Sequence, residues 1–414
     1  MKHLLDKPSY LLSILAVSAT LLSLQGCGPE FDPYWKANKL RILALRSDPV
    51  TLQPGQNATF EALISNPDNQ TLTYQWEWCP FAVNPQTKYE CPITREELIE
   101  IVNQSIEANA EAEGGMQLPE GFDIGALIPE FQLGNEPTAT LSYPLTPEFV
   151  LGLCQGLQFF LSESDITGDA AVTSSCDEGF DVTMRFTMTP EGGEPVIGAK
   201  RFTLWTGSEF DKNQNPEVAG IDIRLKESAD ADKVSDRLPW VTESEALEDR
   251  WYRIPEDEPL PILANVTFEV RSAITPESVE IFQRPAPTGS DGERLPEEEE
   301  GFEIRWFVEV GELEDSRQIF GAETKPLDEV AMTGWTINYL PEPTSDQKAA
   351  LKDGQDEDWD LDGVNNDADN CPYVSNPGQE ADGCIVPVSS VVSDSRLGVG
   401  WSTQRVNIIG HESE

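Results

Sequence analysis

At 414 residues the chain is long enough for two or three domains, and its 39% apolar content, ordinary once glycine is added, excludes wholesale disorder. Acidic residues outnumber basic ones 74 to 28, and the formal charge of −46 excludes nucleic acid as a partner while favouring divalent cations. Two histidines are present, and only His411 lies beyond the leader, so Ser-His-Asp, Cys-His and His-ligated zinc or iron chemistry lack their key group.

The first 26 residues read as a signal peptide: Lys2 and Lys7 precede an apolar run from Tyr10 to Leu24, too short for a membrane span of about 20 apolar residues. The run ends Leu24-Gln25-Gly26-Cys27, which resembles the bacterial lipobox. That resemblance implies that Cys27 carries a diacylglycerol, becomes the new N-terminus and attaches the protein to a membrane. Gly28, where an aspartate would signal inner-membrane retention, points the same resemblance to the outer membrane or cell surface. Residues 27–39 are then a lipidated tether, at most roughly 40 Å long when extended.

From Leu40 the pattern is that of strands. LRILALRSDP leads through Pro54-Gly55 to NATFEALIS and then TLTYQWEW, where Tyr74, Trp76 and Trp78 share one face and Gln75 and Glu77 the other. A tryptophan in the third strand is typical of immunoglobulin-like sandwiches, and core packing is its expected role. An insertion over about 92–170 interrupts the strands. Thr94 and Glu97 make a capping box for a helix carrying Leu98, Ile101, Val102 and Ile106. Residues 111–136, rich in Gly, Pro and acids, predict a loop, and Thr146-Pro147 opens a second helix. FDVTMRFTMTP and PVIGAKRFTLWT then form a hairpin about EGGE, closing a first domain over 40–210.

The polar stretch Asp211 to Pro216 reads as a linker, and beyond it the strand order repeats over 217–410. VAGIDIRL answers LRILALR, NVTFEVRS answers NATFEALIS, and FEIRWFVEV answers TLTYQWEW. IVPVSSVVSD and VGWSTQRVNII make the closing hairpin. The acidic run Glu297 to Glu300 predicts a solvated loop. The expected fold is therefore all-β: tandem immunoglobulin-like sandwiches, with a helical insertion in the first and a loop insertion over 354–384 in the second. Both sandwiches diffusely resemble the immunoglobulin-like or PKD-like modules of bacterial surface lipoproteins.

That second insertion carries the clearest chemistry. Asp358, Asp360 and Asp362 stand two apart, Gly363 follows, and Asp369 lies eleven residues after Asp358. Calcium is a hard cation that takes six to eight oxygens at about 2.3–2.6 Å; alternate carboxylates, the Val364 carbonyl, Asn366 and Asp369 supply such a set around a glycine turn. The run DLDGVNNDADNCPYVSNPGQ also resembles the thrombospondin type 3 repeat, matching its D-x-D-x-D-G, D-N-C-P and N-P-x-Q punctuation. The resemblance implies bound Ca²⁺. The family's second acidic loop is compressed here to Glu380, Ala381, Asp382, Gly383 and Cys384, so one site is expected.

With Cys27 lipidated, six cysteines remain in an exported chain. Neighbour pairing gives Cys79–Cys91, Cys154–Cys176 and Cys371–Cys384, one of fifteen connectivities that six cysteines allow. Nucleotide-binding and nucleophile-elbow motifs are absent from the sequence. The reading is a non-enzymatic calcium-binding surface lipoprotein acting in adhesion, scaffolding or capture of a protein or glycan ligand. The alternatives are a carbohydrate-binding module using Trp240, Trp251, Trp335 or Trp359, or a two-carboxylate glycosidase.

Overall fold

The computed structural model describes residues 33–81, 83–110, 123–143, 180–204, 213–226, 237–241, 250–283, 296–321, 326–337 and 384–409, with positions 146, 147, 150, 153, 154 and 234 besides. The described chain is mostly strand, in several antiparallel sheets.

In the first half lie β1 (Arg41–Asp48), β2 (Thr51–Leu52), β3 (Asn57–Ser65), β4 (Leu72–Cys79), α1 (Arg95–Ala110), β5 (Gln132–Gly134), β6 (Thr138–Ser142), β7 (Phe180–Pro190) and β8 (Val196–Leu204). One sheet has the order β1-β3-β6, the other β2-β8-β7-β4-β5. Only β2 runs parallel to its neighbour, pairing Thr51 with Thr203 and Leu52 with Leu204. Alternation along each strand sends one set of side chains inward, and both sheets contribute to one core. There the Phe60 ring lies 6.2 Å from Trp76 and 5.0 Å from Phe202, and Trp76 lies 4.3 Å from Phe186. Trp76 and Trp78 are buried, as their alternation predicts. Each satisfies its indole N–H on a carbonyl next to β5: Glu136 O at 3.1 Å and Glu130 O at 2.8 Å.

The capping box forms as predicted. Thr94 N donates to Glu97 Oε2 at 2.7 Å and Glu97 N to Thr94 Oγ1 at 3.2 Å, while Leu98 and Val102 bury against the sheet core. The expected insertion is less purely helical than its sequence suggests. β5 occupies part of the predicted loop, and β6 is an integral strand, pairing with β3 from Asn57↔Ser142 to Glu61↔Thr138. Its inward side chains are only Ala139 and Leu141, too weak an alternation to announce a strand. Most of the second helix lies outside the described residues; Val150 donates to Thr146 O at 3.1 Å, and Val150, Leu153 and Cys154 are buried.

In the second half lie β9 (Val218–Leu225), β10 (Tyr252–Arg253), β11 (Leu260–Leu263), β12 (Thr267–Ile274), β13 (Ile281–Gln283), β14 (Glu297–Glu299), β15 (Phe302–Val308), β16 (Glu312–Leu313), β17 (Arg317–Phe320), α2 (Leu327–Val330), β18 (Met332–Thr336), β19 (Ile385–Asp394) and β20 (Val399–Ile409). The sheets are β10-β9-β12-β18-β16 and β11-β20-β19-β15-β17, with β13-β14 a separate ribbon. The first half's order recurs: β9-β12-β18 stands where β1-β3-β6 stands, and β11-β20-β19-β15-β17 where β2-β8-β7-β4-β5 stands. The short strand β11 is again the parallel one, against β20. Phe302, Ile304, Trp306 and Val308 all face a second core, which also holds Phe268 and Trp335.

Two sequence readings change here. The acidic run 297–300 is not a free loop, because β14 pairs with β13 and Glu300 is buried at 1% exposure beneath Arg396. Nor is the end of the tether loose. Ala37 N donates to Val308 O at 2.7 Å and Val308 N to Trp35 O at 3.1 Å, so residues 35–37 add a short parallel rung to β15.

Candidate functional site

The predicted calcium segment is spliced between β18 and β19. Its ligand candidates Asp358, Asp360, Asp362, Val364, Asn366 and Asp369 lie outside the described residues, as do Cys27, Cys176, Cys371 and Trp359. The frame that holds the segment is described. Ile337, just after β18, is buried, and its carbonyl accepts from Asn265 N at 2.7 Å. Asn265 adopts the left-handed conformation, φ 59°, that asparagine tolerates better than most residues, and it turns the chain from Ala264 into β12. Ala264 N donates to Ile409 O at 3.3 Å, and Ile408 N to Cys384 O at 2.9 Å. These bonds draw the exit point Ile337 and the re-entry point Cys384 to one end of the second half, across the gap between its sheets. Cys384 is disulfide-bonded and 2% exposed, so the re-entry is fixed in the core.

The donor set itself fits calcium: carboxylates, one amide and a main-chain carbonyl are all hard oxygens, with neither imidazole nor thiolate to favour a softer metal. Among the described residues no group of three or more His, Cys, Asp or Glu side chains is placed to hold a metal. The only fully described disulfide is Cys79–Cys91, as neighbour pairing expects; Cys154 is also disulfide-bonded.

At the opposite end of the second half, a polar seam joins it to the first. The stretch read as a linker supplies its centre. Asn213 is 7% exposed and donates from Nδ2 to Asp394 Oδ2 at 3.1 Å and Arg396 O at 2.9 Å. Asn215 Nδ2 donates to Ser47 O at 2.8 Å, and its Oδ1 accepts from Val399 N at 2.9 Å. Lys200 of β8 donates to Leu397 O. Burial pulls the Lys200 ammonium down to about 8, against the opposing charges of Asp394 and Asp181. Burial also raises the Asp394 carboxyl, helped by Glu300. Arg396 Nε donates to Glu300 Oε2 at 2.9 Å, and the same guanidinium pairs with Glu280. An apolar patch of Leu43, Ala44, Phe307, Val391 and Val399 completes the contact.

Of the four tryptophan candidates for a sugar platform, Trp251 is half-buried and Trp359 lies outside the described residues. Trp240 and Trp335, expected as exposed candidates, are buried, with indole N–H groups on Pro261 O at 2.7 Å and Val310 O at 3.0 Å. The Trp251 ring lies against Arg224 and Arg271, whose guanidinium carbons stand 4.3 and 4.4 Å from its centroid. No local pattern in the sequence announces the seam, because its partners are 96 to 197 residues apart.

No curated protein matches the chain. Residues 353–379 match the model of the thrombospondin type 3 repeat, a repeat that typically binds calcium, and they fall inside the insertion framed by Ile337 and Cys384.

Proposed function

We propose that the protein is a non-enzymatic, lipid-anchored surface protein in which two immunoglobulin-like modules present one calcium-binding repeat for adhesion or scaffolding. The match over residues 353–379 carries the calcium part of this reading. The twice-repeated strand order, with a short parallel strand on the last described strand of each half, supports the module type. The Leu24 to Cys27 lipobox resemblance supports the anchor.

In this reading Asp358, Asp360, Asp362, Asn366 and Asp369 side chains and the Val364 carbonyl hold Ca²⁺. The ion offsets the repulsion among the clustered carboxylates, and the insertion's fixed ends limit the chain entropy lost on binding. Extracellular calcium modules bind at roughly 10⁻⁴–10⁻³ M, so about 2 mM ion adds up to roughly 2 kcal/mol of stability at the tight end. Differential scanning calorimetry with and without calcium is expected to show that upward shift in melting temperature, and Asp360→Ala to abolish most of it. A calcium shift of unchanged size in the variant would refute the assignment.

A further inference from the structure

Between the two halves, above the seam, lies a cleft of about 590 Å³ whose wall includes Arg41, Ile42, Leu45, Lys200, Arg305 and Phe307. Its charge is opposite to that of the chain as a whole. Elsewhere guanidinium groups are matched by carboxylates, as in Arg46–Glu61, Arg185–Glu77, Arg224–Glu269 and Arg253–Asp222. Around the cleft the matching is looser among the described residues. Arg41 Nη1 donates to two main-chain carbonyls, Pro33 O at 3.2 Å and Tyr34 O at 3.0 Å, and its Nε is buried with no acceptor. Arg305 Nε is likewise buried without a hydrogen bond, 3.5 Å from Glu303 Oε1, and its Nη2 has only Ser393 Oγ at 3.4 Å. Lys200 is bonded to a carbonyl, not a carboxylate. Three cations thus line one space, with Glu303 3.5 Å from Arg305 and the charges of Asp394 and Asp181 acting on Lys200.

Both Nε atoms are closed to solvent, so an anion in the cleft would meet the Nη groups of Arg41 and Arg305, with Lys200 beside them. Apart from Tyr34 and Tyr89, the rest of the wall is apolar. Ile42 and Leu45 of β1 lean over Gly198 of β8, where a Cβ would sit 3.1 and 3.3 Å from their methyl groups, and Phe307 closes the other side. Both strands are open on this flank: β1 pairs only with β3, and β8 meets β2 only at Thr203 and Leu204.

We propose that this cleft binds an amphiphilic anion, its phosphate or carboxylate held by Arg41, Arg305 and Lys200 and its apolar stem lying along Ile42, Leu45 and Phe307. Guanidinium groups suit either head group, since each offers paired N–H donors to paired oxygens. The proposal is independent of the calcium reading, as neither Ile337 nor Cys384 lines the cleft.

Isothermal titration of the full chain with hexyl phosphate, hexanoate and inorganic phosphate tests it. Saturable binding of one hexyl phosphate or hexanoate is expected, with hexyl phosphate at least about tenfold tighter than inorganic phosphate because the stem is buried. Arg305→Gln and Arg41→Gln are each expected to weaken binding about tenfold or more, and Arg41→Lys to weaken it less, while Arg405→Gln on the exposed side of β20 leaves it unchanged. Arg305→Gln decides the matter if loss of Arg41 disturbs folding. No saturable binding by either amphiphile, equal affinity for inorganic phosphate, or the same loss on Arg405→Gln would overturn the proposal.

Discussion

Glu309 shows how single ionisable groups tune the junction. It follows β15 directly. Burial, and then the charge of Asp68 from the turn between β3 and β4, push its carboxyl up to about 7. The folded protein therefore keeps a proton on Glu309 between about pH 4.5 and 7, where the unfolded chain releases it. Stability linked to that proton is complete below the lower value and lost as pH rises through the upper one. Glu280 and Asp394 are raised as well and act with the same sign. Wild-type protein in calcium-free buffer is expected to be less resistant to urea at pH 8 than at pH 5. Glu309→Gln should shrink that difference by about 1–3 kcal/mol, and an unchanged difference would remove Glu309 from the account.

Among elements, the start of β20 is the most constrained. A Cβ on Gly400 would overlap the Pro216 carbonyl oxygen, and one on Gly398 would run into the Asp394 carboxylate and the Gln214 carbonyl. Linker and hairpin backbones lie directly on one another there. Gly400→Ala is expected to push residues 213–216 away, break the Asn215 bridge between Ser47 and Val399, and cost roughly 1–3 kcal/mol. Scanning calorimetry should then split one unfolding transition into two; a single transition at the original temperature would contradict the role given to this contact. The same element shows what sequence could and could not tell. Alternation made the β7–β8 and β19–β20 hairpins and the buried Trp76 and Trp306 readable, because strand period and burial are local properties. Asn213 and Asn215 looked like linker residues because both are polar; their bonding partners are distant in sequence and leave no local pattern. Glu300 was read as solvated for the same reason, since nothing near it in sequence announces Arg396. The calcium-type repeat is the opposite case: residues 353–379 match its family model, and its spacing is local because a cation loop is built from consecutive residues.

For the whole molecule, the repeated strand order means that one topology is used for two tasks. The first half spends its insertion on α1, β5 and β6, which complete its own sheets and core. The second keeps a complete sheet pair and carries its long insertion between β18 and β19, with Ile337 and Cys384, where the described chain leaves off and resumes, in its core. A mechanical consequence follows from the rung that residues 35–37 add to β15. Tension applied at residue 33 and resisted at the pole of Ile337 and Cys384 can pass straight through the hydrogen bonds between Trp35, Ala37 and Val308, short-circuiting the first half although it lies between them in the chain. The first half is thereby shielded from load until that rung gives way. Single-molecule stretching between these points should show a small early release before either half unravels, and Ala37→Pro, which removes the donor to Val308, should erase it.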